Sequence, residues 1–120
     1  MFQKVNQLAM PVLRVALPTM QGLELVPVNT IISCSSNNNY TEFLLSDKKR
    51  ILVSRTLKEI EEVLADHAFV RVHHSHIINL NEIVRYIKGE GRYLTMSDGS
   101  TVDVSRSCKE LLMQKLQILK

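Results

Sequence analysis

The sequence predicts a mainly β fold with two helices. Short apolar runs recur along the chain, separated by Ser, Asn, Asp and Gly clusters that favour turns. Asp98-Gly99 stands between two such runs and is a strong short-range hairpin signal. Helical spacing with a capping signature occurs in one stretch in the middle of the chain and in another at its end. No parallel βαβ alternation and no internal repeat is visible.

The elements follow in order. Residues 1–20 read as an attachment to the core, either a disordered terminus or a linker or remnant of an upstream domain. Phe2, Val5 and Leu8 are spaced as on a helix end, and Pro11 and Pro18 then interrupt regular structure. The folded domain is expected over residues 21–120. Leu23, Leu25, Val28, Ile31 and Ile32 suggest two short strands, with Pro27 at an edge or bend. Residues 33–39, almost all Ser and Asn, read as a polar loop. Tyr40 to Leu45 is a strand, residues 46–49 a tight connection, and Arg50 to Ser54 the returning strand. A helix is expected from Thr56 to about Asp66. Thr56 and Glu59 form a capping box, and Leu57, Ile60 and Leu64 form the buried stripe. Strands follow over residues 69–78, 82–88, 92–96 and 101–104. The last helix runs from about Ser107 to Leu119, with Ser107 and Glu110 as its capping box and Leu112, Leu116 and Leu119 as its apolar face.

Composition narrows the function. At 120 residues the chain is one domain. With 45% apolar and 22% charged residues it has the balance of a globular protein and not of a disordered one. No apolar run approaches the roughly 20 residues needed to span a bilayer. The opening MFQKVNQLAM is too short and too polar for a signal peptide. A cytoplasmic location without membrane contact is therefore expected. Cys34 and Cys108 lie far apart and outside any CxxC spacing, so they read as ordinary thiols. The net charge is +3. Residues 1–68 hold seven Lys/Arg and seven Asp/Glu, whereas residues 69–120 hold eight and five. The excess therefore lies in the second half, where it suits phosphate contacts.

Catalytic signatures are missing. The four glycines form neither GxGxxG nor a P-loop, and there is no HExxH or GxSxG. The exception to weigh is His73-His74-Ser75-His76. On a strand, His74 and His76 share one face and His73 points the other way. Two such histidines can start a metal site or a small metal-dependent hydrolase, but no third ligand stands nearby in sequence. A polar binding surface or an ordinary strand edge is the simpler reading, and no metal or cofactor is expected. For binding, Arg71, His73, His74, Arg106 and Lys109 have the reach for phosphates or base edges. Asn37, Asn38 and Asn39 carry amides of the kind that read adenine, or they are a plain surface turn. Arg85, Lys88 and Arg92 read as a solvated strand face.

The run Phe69-Val70-Arg71-Val72-His73-His74-Ser75-His76-Ile77-Ile78-Asn79, with Ile83 beyond it, resembles the signature of the LytTR family. Gly99 and then Val102-Asp103-Val104-Ser105-Arg106 resemble that family's hairpin and its Ser-Arg ending. The resemblance covers about residues 22–117. It implies an elongated fold of small stacked antiparallel sheets. It implies sequence-specific binding of double-stranded DNA by loops that enter successive major grooves at promoter repeats, with no enzymatic step. It places Asn39 in a first contact loop, Arg71, His73 and His74 in or beside a second, and Arg106, Ser107 and Lys109 in a third, with Asn79 structural. It further implies an upstream receiver domain, absent here, and through it a sensor histidine kinase; the domain alone is expected to be monomeric. A protein-interaction module that has lost DNA binding is the alternative. Two positions depart from the pattern: His74 stands where the family shows Arg or Lys, and His76 where it shows an aromatic. A histidine is mostly uncharged at neutral pH, which weakens a phosphate contact.

Overall fold

The computed structural model describes residues 13–116. The expectations for Phe2–Leu8, Pro11 and Leu119 lie outside them. The strands are β1 (Arg14–Thr19), β2 (Gly22–Pro27), β3 (Ile31–Asn37), β4 (Tyr40–Leu45), β5 (Arg50–Val53), β6 (Phe69–His73), β7 (His76–Asn79), β8 (Ile83–Ile87), β9 (Tyr93–Met96) and β10 (Thr101–Asp103). The helices are α1 (Leu57–Val63) and α2 (Arg106–Lys115), with single 3-10 turns at Val28–Thr30 and Leu80–Glu82.

The strands form three antiparallel sheets: a hairpin of β1 and β2, a five-stranded sheet in the order β5-β4-β3-β7-β6, and a three-stranded sheet in the order β10-β9-β8. Two apolar clusters stack them. Alternation along a strand sends neighbouring side chains to opposite faces, so Phe43 and Ile77 join one cluster while Leu44 and Ile78 join the other. In β3 an irregularity between Ile31 and Ser33 puts Ile31 and Cys34 together in the first cluster and Ile32 in the second. The first cluster seats the hairpin through Leu17 and Val26 and α1 through Leu57, Ile60 and the capping Leu64 just past its end. The second seats the three-stranded sheet through Leu94, Met96 and Val102 and α2 through Leu112. The expected class, mainly β with two helices in small stacked sheets, is the observed one.

Four local expectations are corrected. Residues 1–20 were expected to stand apart from the core, yet 14–19 are a strand and Leu17 is fully buried. Burying a leucine is worth about 1.5–3 kcal/mol, enough to hold β1 down. Pro18 is tolerated because β1 belongs to a two-stranded sheet with a free edge, and its carbonyl accepts from the Ser54 N–H at 2.8 Å. The polar run 33–39 is not a loop. β3 extends to Asn37 and only Asn38–Asn39 turn. Ser33 and Cys34 are buried in a strand paired on both sides, so the ladder satisfies the backbone whatever the side chains prefer. Val28, expected in a strand, opens a 3-10 turn after Pro27. Finally, α2 starts at Arg106 and is capped by Ser105, whose hydroxyl accepts from Cys108 N–H at 3.3 Å. The Ser107–Glu110 capping box is not formed.

α1 follows its sequence signature closely. The Thr56 hydroxyl accepts from Glu59 N–H at 3.3 Å, and the Glu59 carboxylate accepts from Thr56 N–H at 2.9 Å. Asn79 is structural. Buried in β7, its amide donates to the Ile31 carbonyl at 2.9 Å and its oxygen accepts from Asn81 N–H at 3.0 Å. Cys34 and Cys108 are free thiols, and burial pushes the Cys34 thiol above its ordinary range.

Candidate nucleic-acid interface

Antiparallel pairing decides where the turns of the five-stranded sheet lie. β3 rises to Asn37, turns through Asn38–Asn39 and descends as β4. β6 rises to His73, turns through His74–Ser75 and descends as β7, which pairs with β3. Both turns therefore crown the same end of the sheet. A backbone bond from Ser36 N–H to the Ser75 carbonyl, 2.9 Å, joins them. On the far side of β6, Ser105 N–H donates to the Val72 carbonyl at 2.9 Å and brings the start of α2 alongside. Asn37–Asn39, His73–His74 and Arg106–Lys109 thus project from neighbouring stretches of backbone.

The first turn needs two residues, and Asn38 adopts φ 58° in it. Asparagine tolerates that left-handed conformation better than most residues. Asn37, Asn38 and Asn39 are all exposed. The run is therefore both the turn chemistry of the hairpin and a set of presented amides.

The second turn corrects the expected facing of the histidines. His74 is not on a strand but in the turn, where it is exposed. His73 and His76 pair across the hairpin with ring centroids 5.2 Å apart, and His73 and His74 are 4.5 Å apart. His73 is half-buried, and its Nδ1 accepts from Ser75 N–H at 3.1 Å. His76 is held below the ordinary histidine range by burial, then by the neighbouring His73 and His74, with Asp103 opposing. Among the described residues no group of three or more His, Cys, Asp or Glu is placed to hold a metal ion. Arg71 points back toward α1, where Nη1 donates to the Glu61 carboxylate at 2.8 Å.

The third element is the first turn of α2. Arg106, Ser107 and Lys109 are exposed, and no acidic residue stands in that turn. The Ser107 hydroxyl lies 3.3 Å from that of Ser105. The N-terminal end of a helix carries a partial positive charge that favours acids and opposes bases. Arg106 and Lys109 are therefore placed against helix stability and add their charge to the dipole's, an arrangement suited to an anion.

Sequence reasoning passed over Arg55. Pairing of Thr41 with Val53 sets the end of β5 at the level of the Asn38–Asn39 turn, and the buried Thr41 hydroxyl donates to the Arg55 carbonyl at 2.8 Å. Its exposed side chain extends the row of turns by one strand. The β1–β2 turn adjoins that flank, with the Tyr40 hydroxyl 3.7 Å from the Met20 sulfur. Nothing local in the sequence signals either placement, because both depend on long-range pairing.

No helix among the described residues is long and apolar enough to cross a membrane. A solved structure titled as the LytTr DNA-binding domain of a putative methyl-accepting/DNA response regulator from Bacillus cereus superposes with a TM-score of 0.74 at 25% identity, covering 88% of this chain and 97% of that one. The sensory transduction protein LytT of Bacillus subtilis is 31% identical over 108 residues, 88% of this chain. The chain spans only 44% of that relative's length. The family model of the LytTr DNA-binding domain matches residues 21–117, and the chain, with the turns of its central sheet crowning one end, belongs to that family.

Proposed function

We propose that this chain is the sequence-specific DNA-binding effector domain of a bacterial two-component response regulator. It regulates transcription by setting its turns into successive major grooves at promoter repeats. The observation that carries this reading is the joining of three polar or basic segments at one end of the sheet by the Ser36–Ser75 and Ser105–Val72 backbone bonds. From β4 to β6 there are three strand spacings, or roughly 14 Å, and α2 adds about 10 Å. The row is then roughly 25 Å long, against about 12 Å for the width of a major groove. Laid along DNA, it cannot stay within one groove and must cross a phosphate strand. The residue types suit that division of labour. Exposed amides at Asn38 and Asn39 and the Arg106 guanidinium match base edges, while Lys109 and the α2 dipole match phosphate.

In this reading Asn39, His74 and Arg106 touch bases, Ser107 and Lys109 hold phosphate, and no catalytic step is involved. The partners are double-stranded DNA, an upstream receiver domain, and a sensor kinase acting through that domain in the cytoplasm. The isolated domain is a monomer that occupies adjacent repeats.

Selection of bound sequences from a random duplex library, run beside Arg106→Ala, tests it. A motif of short spaced repeats should be enriched, and then lost or relaxed in the variant, at a cost of about 1–3 kcal/mol at the site. Absence of enrichment at low salt from a folded protein would sink the DNA reading and leave a protein-interaction role.

A further inference from the structure

The second turn is held from behind by one side chain. Arg71 Nε donates to the His73 carbonyl at 2.9 Å, and Nη2 donates to the His74 carbonyl. Nη1 donates to Glu61 Oε1 at 2.8 Å, so the guanidinium also reaches across to α1. Three of its five N–H bonds are thus committed within the protein, and the Glu61 carboxylate balances its charge. The side chain is 25% exposed. The His74 carbonyl lies in the turn, outside the strand ladder, and must find a donor elsewhere. Arg71 supplies it, and also donates to the His73 carbonyl at the end of β6. Beside it the ladder is irregular between Arg71 and His73, so strand pairing alone does not set the path of the chain into the turn. His73 completes the brace by accepting from Ser75 N–H.

We propose that Arg71 is a positioning residue: with Glu61 it locks the His73–Ser75 turn to α1 and so fixes where His74 is presented, without itself touching DNA. The inference rests on the DNA-binding reading above and departs from it at Arg71, which the family resemblance places in or beside the contact region. A phosphate approaching Arg71 would have to compete with the carboxylate already 2.8 Å away. Lysine cannot replace the arrangement, because one ammonium does not span two consecutive carbonyls and a carboxylate in fixed directions. The turn is coupled in its other direction to β3 through the Ser36–Ser75 bond. A loosened His74 turn therefore also loosens its register against Asn38–Asn39.

The test measures binding to a selected site and to a scrambled duplex over a range of salt. It uses the unaltered protein, Arg71→Lys, Glu61→Gln, and Lys109→Ala as a phosphate-contact control. Arg71→Lys should weaken the selected site roughly tenfold, as expected when a base contact is lost. The scrambled duplex should change less than about twofold and the salt slope should not move, because no phosphate contact is removed. Glu61→Gln should show the same pattern to a smaller extent. If both duplexes weaken in step and the slope falls by about 0.9, Arg71 is a phosphate contact and the proposal is overturned. A second readout needs no DNA: amide exchange at Ser75 in the free protein should quicken at least severalfold in Arg71→Lys, with exchange in β9 unchanged. Unchanged exchange at Ser75 overturns the brace alone. An unaltered protein that fails to discriminate the two duplexes overturns the DNA reading instead.

Discussion

The starts of the two helices differ in one respect that separates folding from binding. Both are capped by a hydroxyl, Thr56 for α1 and Ser105 for α2. At α1 the first turn holds Glu59, whose carboxylate accepts from Thr56 and complements the dipole. The Thr56 backbone N–H and hydroxyl hold that carboxyl below its ordinary range. At α2 the first turn holds Arg106 and no acid, and Lys109 follows. One end is internally neutralised. The other leaves its positive end unanswered within its own first turn. A site that works against its own local stability is where function is expected.

The largest change to that comparison comes from removing the seat of α2. Leu112 is fully buried and α2's principal anchor in the second cluster. Leu112→Ala should cost about 2–5 kcal/mol, read as a lower urea midpoint, and should weaken duplex binding with it. A variant that loses stability but keeps full affinity would show that α2 is not part of the interface. Next come the caps. Thr56→Ala and Ser105→Ala should each cost about 0.5–2 kcal/mol of stability. Only Ser105→Ala should also lower DNA affinity in a gel-shift titration, because the lost hydroxyl frays the first turn of α2, from which Arg106 and Lys109 project. Ser107→Asp sharpens the contrast further by moving the two properties in opposite directions. An acid in the first turn of α2 should raise stability by about 0.3–1 kcal/mol while reducing duplex affinity. If stability and affinity rise together, the α2 end does not face phosphate.

The smallest effect concerns pH. His76 in the folded protein has a pKa below its ordinary 6.5, chiefly from burial. The unfolded chain therefore binds this proton more readily than the folded one. The contribution is fully present above about pH 6.5 and is lost as the pH falls below it. Denaturant midpoints at pH 7.5 and 5.5 should differ in that direction, and His76→Phe should narrow the gap. No narrowing would mean that other groups account for the acid sensitivity.

Much of this was legible in the sequence. α1 was readable because its signals are local: a capping box four residues long and three apolar positions at helical spacing. Asn38 and Asn39 were readable as a turn for the same reason. What was missed depends on partners distant in the chain. The Ser/Asn run of β3 lacks apolar alternation, and its strand character comes from β4 and β7 on either side. β1 looked broken by Pro18, yet Leu17 finds its place among residues from β2 to β7. At α2 the sequence pointed to Ser107 as the cap, whereas the bond to the Val72 carbonyl fixes Ser105 at the helix start. Arg71 was singled out for its charge. Its commitment to Glu61, ten residues away, and to two turn carbonyls was not visible in any spacing.

The two apolar clusters contain none of Asn38, Asn39, His74, Arg106 or Lys109. Change at Asn39, His74, Arg106 or Lys109 leaves both cores intact, since exposed substitutions away from caps and buried networks usually cost no more than about 0.5 kcal/mol, whereas the left-handed φ of 58° at Asn38 favours Asn or Gly there. A lineage carrying this scaffold can therefore alter what its turns present one residue at a time without passing through unfolded intermediates. New recognition then becomes a matter of editing the ends of a sheet whose middle stays the same.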